Sequence, residues 1–239
     1  MAGHQLQTPY TVPGLSGVES VSVGYGFTYA LLSTGGVKCW GKYGAGVLGF
    51  DDATNNSTTV GYDYGYTSLK IYLTPQWVTG LSSGVRQILA GDNGACALLS
   101  TGGIKCWGGA SEWYQTNGWW LGIGGSDSEQ YGGPISKIPV DVPGLTSGVA
   151  RIYLSEHSNT QNNTKIALME NNTAYWWGAS NPKDNSMRSY IPTNYNPIPS
   201  DIKDMVVGQV YGHCVLRTTG AVDCWNKTTG NLQSVSNFP

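Results

Sequence analysis

Two stretches of this chain are almost identical. Residues 30–41 read ALLSTGGVKCWG and residues 97–108 read ALLSTGGIKCWG, with a single exchange of valine for isoleucine. A segment that returns in this way is typical of proteins built from several copies of one supersecondary unit. One such unit cannot bury its own apolar face, so it is stable only when a neighbouring copy covers that face.

Two further copies follow the first pair, and their sequences are less similar to it. All four align on a tryptophan that ends the second strand of the unit, and these anchor residues are Trp40, Trp107, Trp177 and Trp225. The upstream segments begin TPYTVPGL, TPQWVTGL, IPVDVPGL and NPIPSD. We therefore predict a single domain over residues 1–239, with four repeats at approximately 8–50, 74–125, 138–180 and 190–239.

Each repeat contains the pattern of a β-hairpin. In the second copy, alternation of side chains along a strand places Cys96, Leu98, Ile104 and Cys106 on one face of a hairpin centred near Thr101. Gly102 and Gly103 are expected to supply the positive φ that the tight turn needs. The chain is rich in glycine, with 34 residues, and has no long run of helical periodicity. These features predict an all-β fold.

The repeat also resembles a known family. The pattern P-x-x-V-x-G-L-x-S-G-V, followed by C-A-L-L-S-T-G-G-I-K-C-W-G, is similar to the repeat of the regulator of chromosome condensation family. The resemblance covers most of residues 8–239 and implies a β-propeller-like array of four blades with two long loop insertions. The family commonly has seven repeats. Either four blades close into a ring here, or the chain is an arc that a partner completes.

The two insertions, residues 50–73 and 110–133, are rich in aromatic side chains. Their aromatic residues include Tyr62, Tyr64, Tyr66, Tyr72, Trp113, Tyr114, Trp119 and Trp120. Rigid aromatics among Ser, Gly and Asn are typical of recognition surfaces, and they also suit stacking on sugars. The insertions are therefore candidate contact surfaces for a protein or a glycan. The alternative is that both are loops packed against their own repeat.

The five cysteines divide into two pairs and one single residue. Cys96 with Cys106, and Cys214 with Cys224, have the same spacing about the hairpin turn, which predicts cross-strand neighbours within reach of a disulfide. The alternative is that these cysteines serve as small buried apolar side chains. Cys39 is expected to be a buried thiol.

Several functional classes are disfavoured by the sequence. The net charge is −2 and there is no basic stripe, so we expect no nucleic-acid partner. No apolar run is long enough for a membrane span. The start MAGHQLQTPY lacks the features of a secretory signal, so cytoplasmic synthesis is expected.

No catalytic or metal-binding motif is found. HExxH, CxxC, GxSxG and P-loop patterns do not occur, and we expect no cofactor and no enzymatic activity. Two acidic pairs, Asp51 with Asp52 and Asp127 with Glu129, lack the spacing of an EF-hand loop, so no metal site is expected.

The functional hypothesis is a non-enzymatic structural or interaction protein in a larger assembly. The low content of charged residues, 12%, and the abundance of Gly, Asn, Ser, Thr and Tyr favour a phage virion component in a capsid, tail or fibre, with a virion surface as its destination. The alternative is a soluble binding module, because the family includes a propeller inhibitor of β-lactamases and aromatic surfaces also suit glycans. Nucleotide exchange on a small GTPase, which the resemblance also implies, is disfavoured by the lack of basic surface and of seven blades.

Overall fold

A computed structural model describes the backbone of most of the chain, and the regular elements of this described part are β-strands. The described residues are 9–44, 46–51, 58–63, 67–91, 94–109, 121–124, 135–155, 164–178, 189–195, 198–208, 213–225 and 231–235. Within these ranges no helix has the length and hydropathy needed to cross a bilayer.

The strands form four antiparallel sheets that follow one another along the chain. The first sheet contains β1 (Val18–Val23), β2 (Phe27–Leu32), β3 (Val37–Tyr43), β4 (Thr58–Asp63) and β5 (Thr67–Trp77). The second contains β6 (Val85–Gly91), β7 (Gly94–Leu99), β8 (Ile104–Gly108) and β9 (Ser136–Asp141). The third contains β10 (Val149–Leu154), β11 (Thr164–Met169), β12 (Ala174–Gly178) and β13 (Ser189–Asn194). The fourth contains β14 (Ile202–Val207), β15 (His213–Arg217), β16 (Val222–Trp225) and β17 (Leu232–Ser234).

The predicted hairpin is present between β7 and β8. Cys96 pairs with Cys106 across these strands. Gly102 has a φ of +80°, which only glycine adopts without strain. Gly103 does not have a positive φ, which corrects the prediction. Its constraint is space, because a Cβ there would lie 2.7 Å from the Thr146 carbonyl oxygen. The third copy uses Asn172, with a φ of +59°, where the other copies have glycine.

The boundaries of the sequence repeats and the boundaries of the sheets differ by one strand. Trp77, which lies in the opening segment of the second sequence repeat, pairs with Lys38 of the first sheet. Asp141 pairs in the same way with Lys105 of the second sheet. The start of each of these repeats therefore supplies the strand that pairs with the anchor-tryptophan strand of the preceding sheet, which ties consecutive repeats together through backbone hydrogen bonds.

The first insertion is partly strand rather than loop. Residues 58–63 and 67–73 belong to β4 and β5, which extend the first sheet to five strands in the order β1-β2-β3-β5-β4. Tyr72 is buried, with its ring centroid 4.9 Å from that of Phe50 and 5.6 Å from that of Tyr43. The alternating β-branched and aromatic residues here favour a strand. The prediction of a loop is wrong for these residues, and Tyr72 is a core residue.

The sheets stack face to face through the anchor tryptophans. We call the face that carries the anchor tryptophan the rear face of a sheet, and the opposite face the front face. Trp107 is buried in one apolar cluster with Tyr29 on the front face of the first sheet, and its Nε1 donates a hydrogen bond to the Tyr29 hydroxyl at 2.9 Å. Trp177 and Trp225 are buried against the front faces of the second and third sheets. Each tryptophan thus fills the space between its own sheet and the preceding one.

The array is open at both ends. The four sheets do not close into a ring in the described part of the chain. Trp40, on the rear face of the first sheet, has no preceding sheet among the described residues and is partly exposed, whereas the other three anchors are buried. Four repeats are expected to form either a closed ring or an open arc, and the described sheets form an open arc.

Candidate protein-interaction surface

The first strand of each sheet carries an apolar residue at the same register position. These residues are Val21, Ile88, Ile152 and Met205, which pair with Ala30, Ala97, Ala167 and Val215. Ile88 is 4% exposed, Ile152 2% and Met205 4%, because the preceding sheet covers each of them. Val21 is 62% exposed. The first sheet therefore presents to solvent a surface that the other sheets bury.

This exposed rear surface, which we call the rear patch, is made of five apolar side chains: Val18, Val21, Val23, Trp40 and Trp77. The ammonium of Lys38 lies 5.0 Å from the centroid of the Trp77 ring and donates a hydrogen bond to the Gly14 carbonyl oxygen at 2.9 Å. A cation over an indole face is attracted by the ring electrons, which holds Trp77 in place. The rear patch is thus apolar with an ordered cationic edge.

The opposite end of the array has a matching exposed surface. The front patch consists of Val206, Cys214, Leu216, Val222 and Cys224 on the fourth sheet. The equivalents of Val222 in the first three sheets, which are Val37, Ile104 and Ala174, are each 0% exposed, whereas Val222 is 38% exposed. Val206 is 65% exposed. The front patch lacks the following sheet that covers the equivalent surfaces.

Charged groups of the fourth sheet are paired with one another on the side opposite the front patch, because Asp223 and Arg217 alternate in direction with Val222 and Leu216. Arg217 contacts Asp201 at 2.6 Å and Asp223 at 2.9 Å, and its hydrogen bond lowers the pKa of the Asp201 carboxyl. Asp204 accepts hydrogen bonds from Arg151 and Tyr153, each at 3.2 Å, which join the third sheet to the fourth. Burial, and then the neighbouring Asp204 carboxylate, raise the pKa of Tyr153 to about 12. The five side chains that make up the front patch are therefore apolar, and none of these charged groups is among them.

Most of the predicted aromatic contacts lie outside the described residues. These are Tyr64, Tyr66, Trp113, Tyr114, Trp119 and Trp120. Tyr62 lies on β4, and its side chain is also outside the described part. Their role in binding stays a prediction. In the described part of the second insertion, Leu121 is buried and Gly122 lies against the ring of Trp177 from the third repeat, so this part packs between consecutive repeats.

The acidic pairs do not form a described metal site. Asp51 lies 3.3 Å from the Lys137 ammonium, while Asp52, Asp127 and Glu129 are outside the described residues. Among the residues that the structure describes, no group of three or more His, Cys, Asp or Glu side chains could hold a metal ion.

Two disulfides cross the sheets at equivalent positions. Cys96 is bonded to Cys106 with Cα atoms 4.1 Å apart, and Cys214 is bonded to Cys224 with Cα atoms 4.0 Å apart. The first is buried between the second and third sheets, whereas the second lies partly exposed on the front patch. Cys39 is a buried thiol, and burial raises its pKa.

We expect the two disulfides to differ in access to reductant. Thiol–disulfide exchange requires a thiolate to reach the sulfur, so Cys214–Cys224 should be reduced before Cys96–Cys106 in the folded chain. Loss of either bridge should lower the free energy of unfolding by about 2.8 kcal/mol in the chain-entropy account. Timed alkylation followed by peptide mass mapping measures the order. Equal rates for both bridges in the native chain would contradict the difference in burial.

A buried lysine lies between the second and third sheets. Lys165 on β11 is 2% exposed, and desolvation lowers the pKa of its amine well below the usual value. It faces a small cavity that is also lined by Leu89, Cys96, Ile152, Tyr153, Leu154 and Trp177. Sequence reasoning missed both this residue and the two patches. The signal for the patches was present in the repeat alignment, which matches Val21 with three core residues.

Comparison with known proteins agrees with this architecture. The family described as "Regulator of chromosome condensation (RCC1) repeat" matches residues 18–43. Human WBSCR16 is 18% identical, with a TM-score of 0.61 over 87% of this chain and 47% of that chain. Prp20p from Saccharomyces cerevisiae is 19% identical, with a TM-score of 0.56 over 90% of this chain and 48% of that chain. No curated protein matches the sequence.

These matches confirm two predictions. Residues 18–43 match a repeat of the regulator of chromosome condensation type, and the fold of the chain is an all-β, propeller-like array. It spans about half the length of each of these two structures.

Proposed function

We propose that the chain is a non-enzymatic protein-interaction module, and that it contacts other protein subunits of a larger assembly through the rear patch and the front patch. The observation that carries this proposal is the exposure of Val21, at a position where three other sheets bury an apolar residue. Contiguous exposed apolar surface with a polar rim is typical of protein interaction sites.

Two further observations support the proposal. The front patch itself consists of apolar side chains and a disulfide, so covering it would not bury a charged side chain of the patch. A protein of the same fold, Prp20p, has binding properties to Gsp1p and histones, so this scaffold is able to present protein-binding surfaces.

The nature of the assembly rests on composition. Few charges and many small polar residues favour a virion component that is synthesised in the cytoplasm and then joins a phage particle. The alternative, a soluble binding module for a protein or a glycan, would rest on the aromatic insertions rather than on the two patches. The experiment below separates the two, because it alters the patches alone.

The test compares native complex size for chains with altered patches. Val21→Asp and Val206→Asp each place a carboxylate on an apolar patch, and Ile138→Asp and Ile191→Asp place one on exposed outer strands away from the patches. In extracts of the cells that naturally make the chain, the wild type and the controls should elute in a complex well above 25.5 kDa. The patch variants should elute at lower mass, because a buried unpaired charge is costly. Patch variants that keep the wild-type complex would contradict the proposal.

A further inference from the structure

We propose that the partner covering the two patches is a second copy of this chain. The front patch of each copy would seat on the rear patch of the other, and the two arcs would close a ring of eight sheets. This inference rests on the proposed function and names its partner.

The front patch repeats the chemistry of a surface that already accepts an anchor tryptophan. On the front face of the second sheet, Trp177 packs in one cluster with Cys96, Leu98, Ile104 and Cys106. At the same register positions the front patch has Cys214, Leu216, Val222 and Cys224, with a disulfide in the same place. Trp40 occupies in the first sheet the position that Trp177 occupies in the third. A rear patch bearing Trp40 therefore suits the front patch.

Contacts between the first two sheets define the register of the proposed interface. The Ser22 hydroxyl accepts a hydrogen bond from the Ala90 amide at 2.8 Å. By strand pairing, Val206 is the equivalent of Ser22, and Val23 is the equivalent of Ala90. Val206 of one copy would therefore lie beside Val23 of the other. Both are exposed valines, so their contact would bury apolar surface.

A backbone contact between one sheet and the loop of the next repeat also recurs along the array. The Val37 amide donates to the Leu81 carbonyl oxygen, and the Ile104 amide donates to the Leu145 carbonyl oxygen, both at 2.8 Å. Leu81 and Leu145 are buried where these loops meet the preceding sheet. Their equivalent in the motif V-x-G-L is Leu15, which is only partly buried. Leu15 of one copy would thus cover the turn before Val222 of the other.

Two copies match the size of a closed propeller. The chain spans 47% and 48% of the two propeller-like structures that it matches, so two copies supply about one such length. Eight sheets lie within the usual range of 4 to 8 blades. A contact between two different patches closes into a ring of two copies when the rotation per copy is half a turn, and continues as a filament when the rotation does not close.

The first test is the mass of the purified chain, by sedimentation velocity over a range of concentrations. We expect a defined species of twice 25.5 kDa. Val21→Asp should raise the dissociation constant at least roughly 30-fold, or about 2 kcal/mol, and Ile138→Asp should leave it unchanged. A monomer at every concentration would overturn the proposal, and so would open-ended polymers, because the ring would then not close.

The second test uses disulfide cross-linking to measure which residues face each other across the proposed interface. Chains carrying Val206→Cys are mixed with chains carrying Val23→Cys and oxidised, and the expected product is the mixed cross-linked pair. Val23→Cys mixed with Ile191→Cys is the control and should give none. Cross-links only between identical variants would overturn the head-to-tail arrangement. A purified chain that stays monomeric, but whose larger complex in extracts is lost with Val21→Asp, would overturn this inference and leave the proposed function standing.

Discussion

Replacing Trp177 by alanine is expected to lower the free energy of unfolding by about 3–5 kcal/mol. Trp177 is fully buried between the second and third sheets, in one cluster with Leu98 and Ile104. Truncation removes its apolar contacts and leaves a cavity that the two rigid sheets can only partly fill. Urea unfolding followed by far-ultraviolet circular dichroism measures the change without depending on tryptophan fluorescence.

Trp40→Ala is the matched control for this prediction. The two tryptophans occupy the same position in their repeats, but Trp40 is partly exposed, so its loss should cost about 1 kcal/mol. Both substitutions should be compared in a Val206→Asp background, so that association does not contribute. Equal losses for the two would show that another element covers Trp40, and would contradict the open arc.

Replacing Lys165 by methionine is expected to change the stability of the chain mainly through its dependence on pH, because the substitution removes an amine that is desolvated in the folded state. Methionine keeps the volume of the side chain and removes the cost of desolvating the amine between two sheets. The matched control is Lys203→Met, which changes an exposed lysine on β14 and tests for a general effect of removing a positive charge. A Lys165→Met variant less stable than wild type would show that the amine makes a contact worth more than its desolvation.

The same substitution should change the dependence of stability on pH. Because the pKa of Lys165 is lowered in the folded chain, the unfolded chain binds more protons between that value and 10.5. Wild-type stability should therefore rise with pH, by at most about 1.4 kcal/mol per unit, and Lys165→Met should lose this slope. The usable window is pH 7 to 9, because above the ordinary Cys39 pKa of 9.0 the buried thiol begins to act in the opposite direction. Parallel pH profiles for the two chains would contradict this account.

The local parts of this fold could be predicted from the sequence. The alternation around Thr101 and the glycines of the turn predict the hairpin, and the pairing of Cys96 with Cys106 follows from it. These features depend on residues close together in the chain, where period and turn chemistry decide the geometry.

The long-range parts could not be predicted in this way. The pairing of Trp77 with Lys38 depends on which sheet the outer strand joins, and both neighbouring repeats carry the same pattern. Burial of Tyr72 depends on Phe50 and Tyr43, which only the five-stranded first sheet brings together.

The candidate site depends on the ends of the array. Val21 and Ile152 are both apolar and occupy the same register position, yet only Ile152 is covered by a preceding sheet. Equivalent positions are apolar in all four repeats, whether or not a neighbouring sheet covers them, so the sequence alone does not distinguish an exposed copy from a buried one. Exposure differs only because a stack of four sheets has two outer faces.

Trp107, Trp177 and Trp225 each pack on the preceding sheet, whereas Trp40 has no preceding sheet in the part of the chain that the structure describes. Hydroxyl-radical footprinting with residue-level mass spectrometry tests this difference most directly, on the Val206→Asp variant. We predict rapid oxidation of Trp40 and protection of Trp107, Trp177 and Trp225. Protection of Trp40 equal to that of the other three would contradict the account, because the four sheets would then close on themselves.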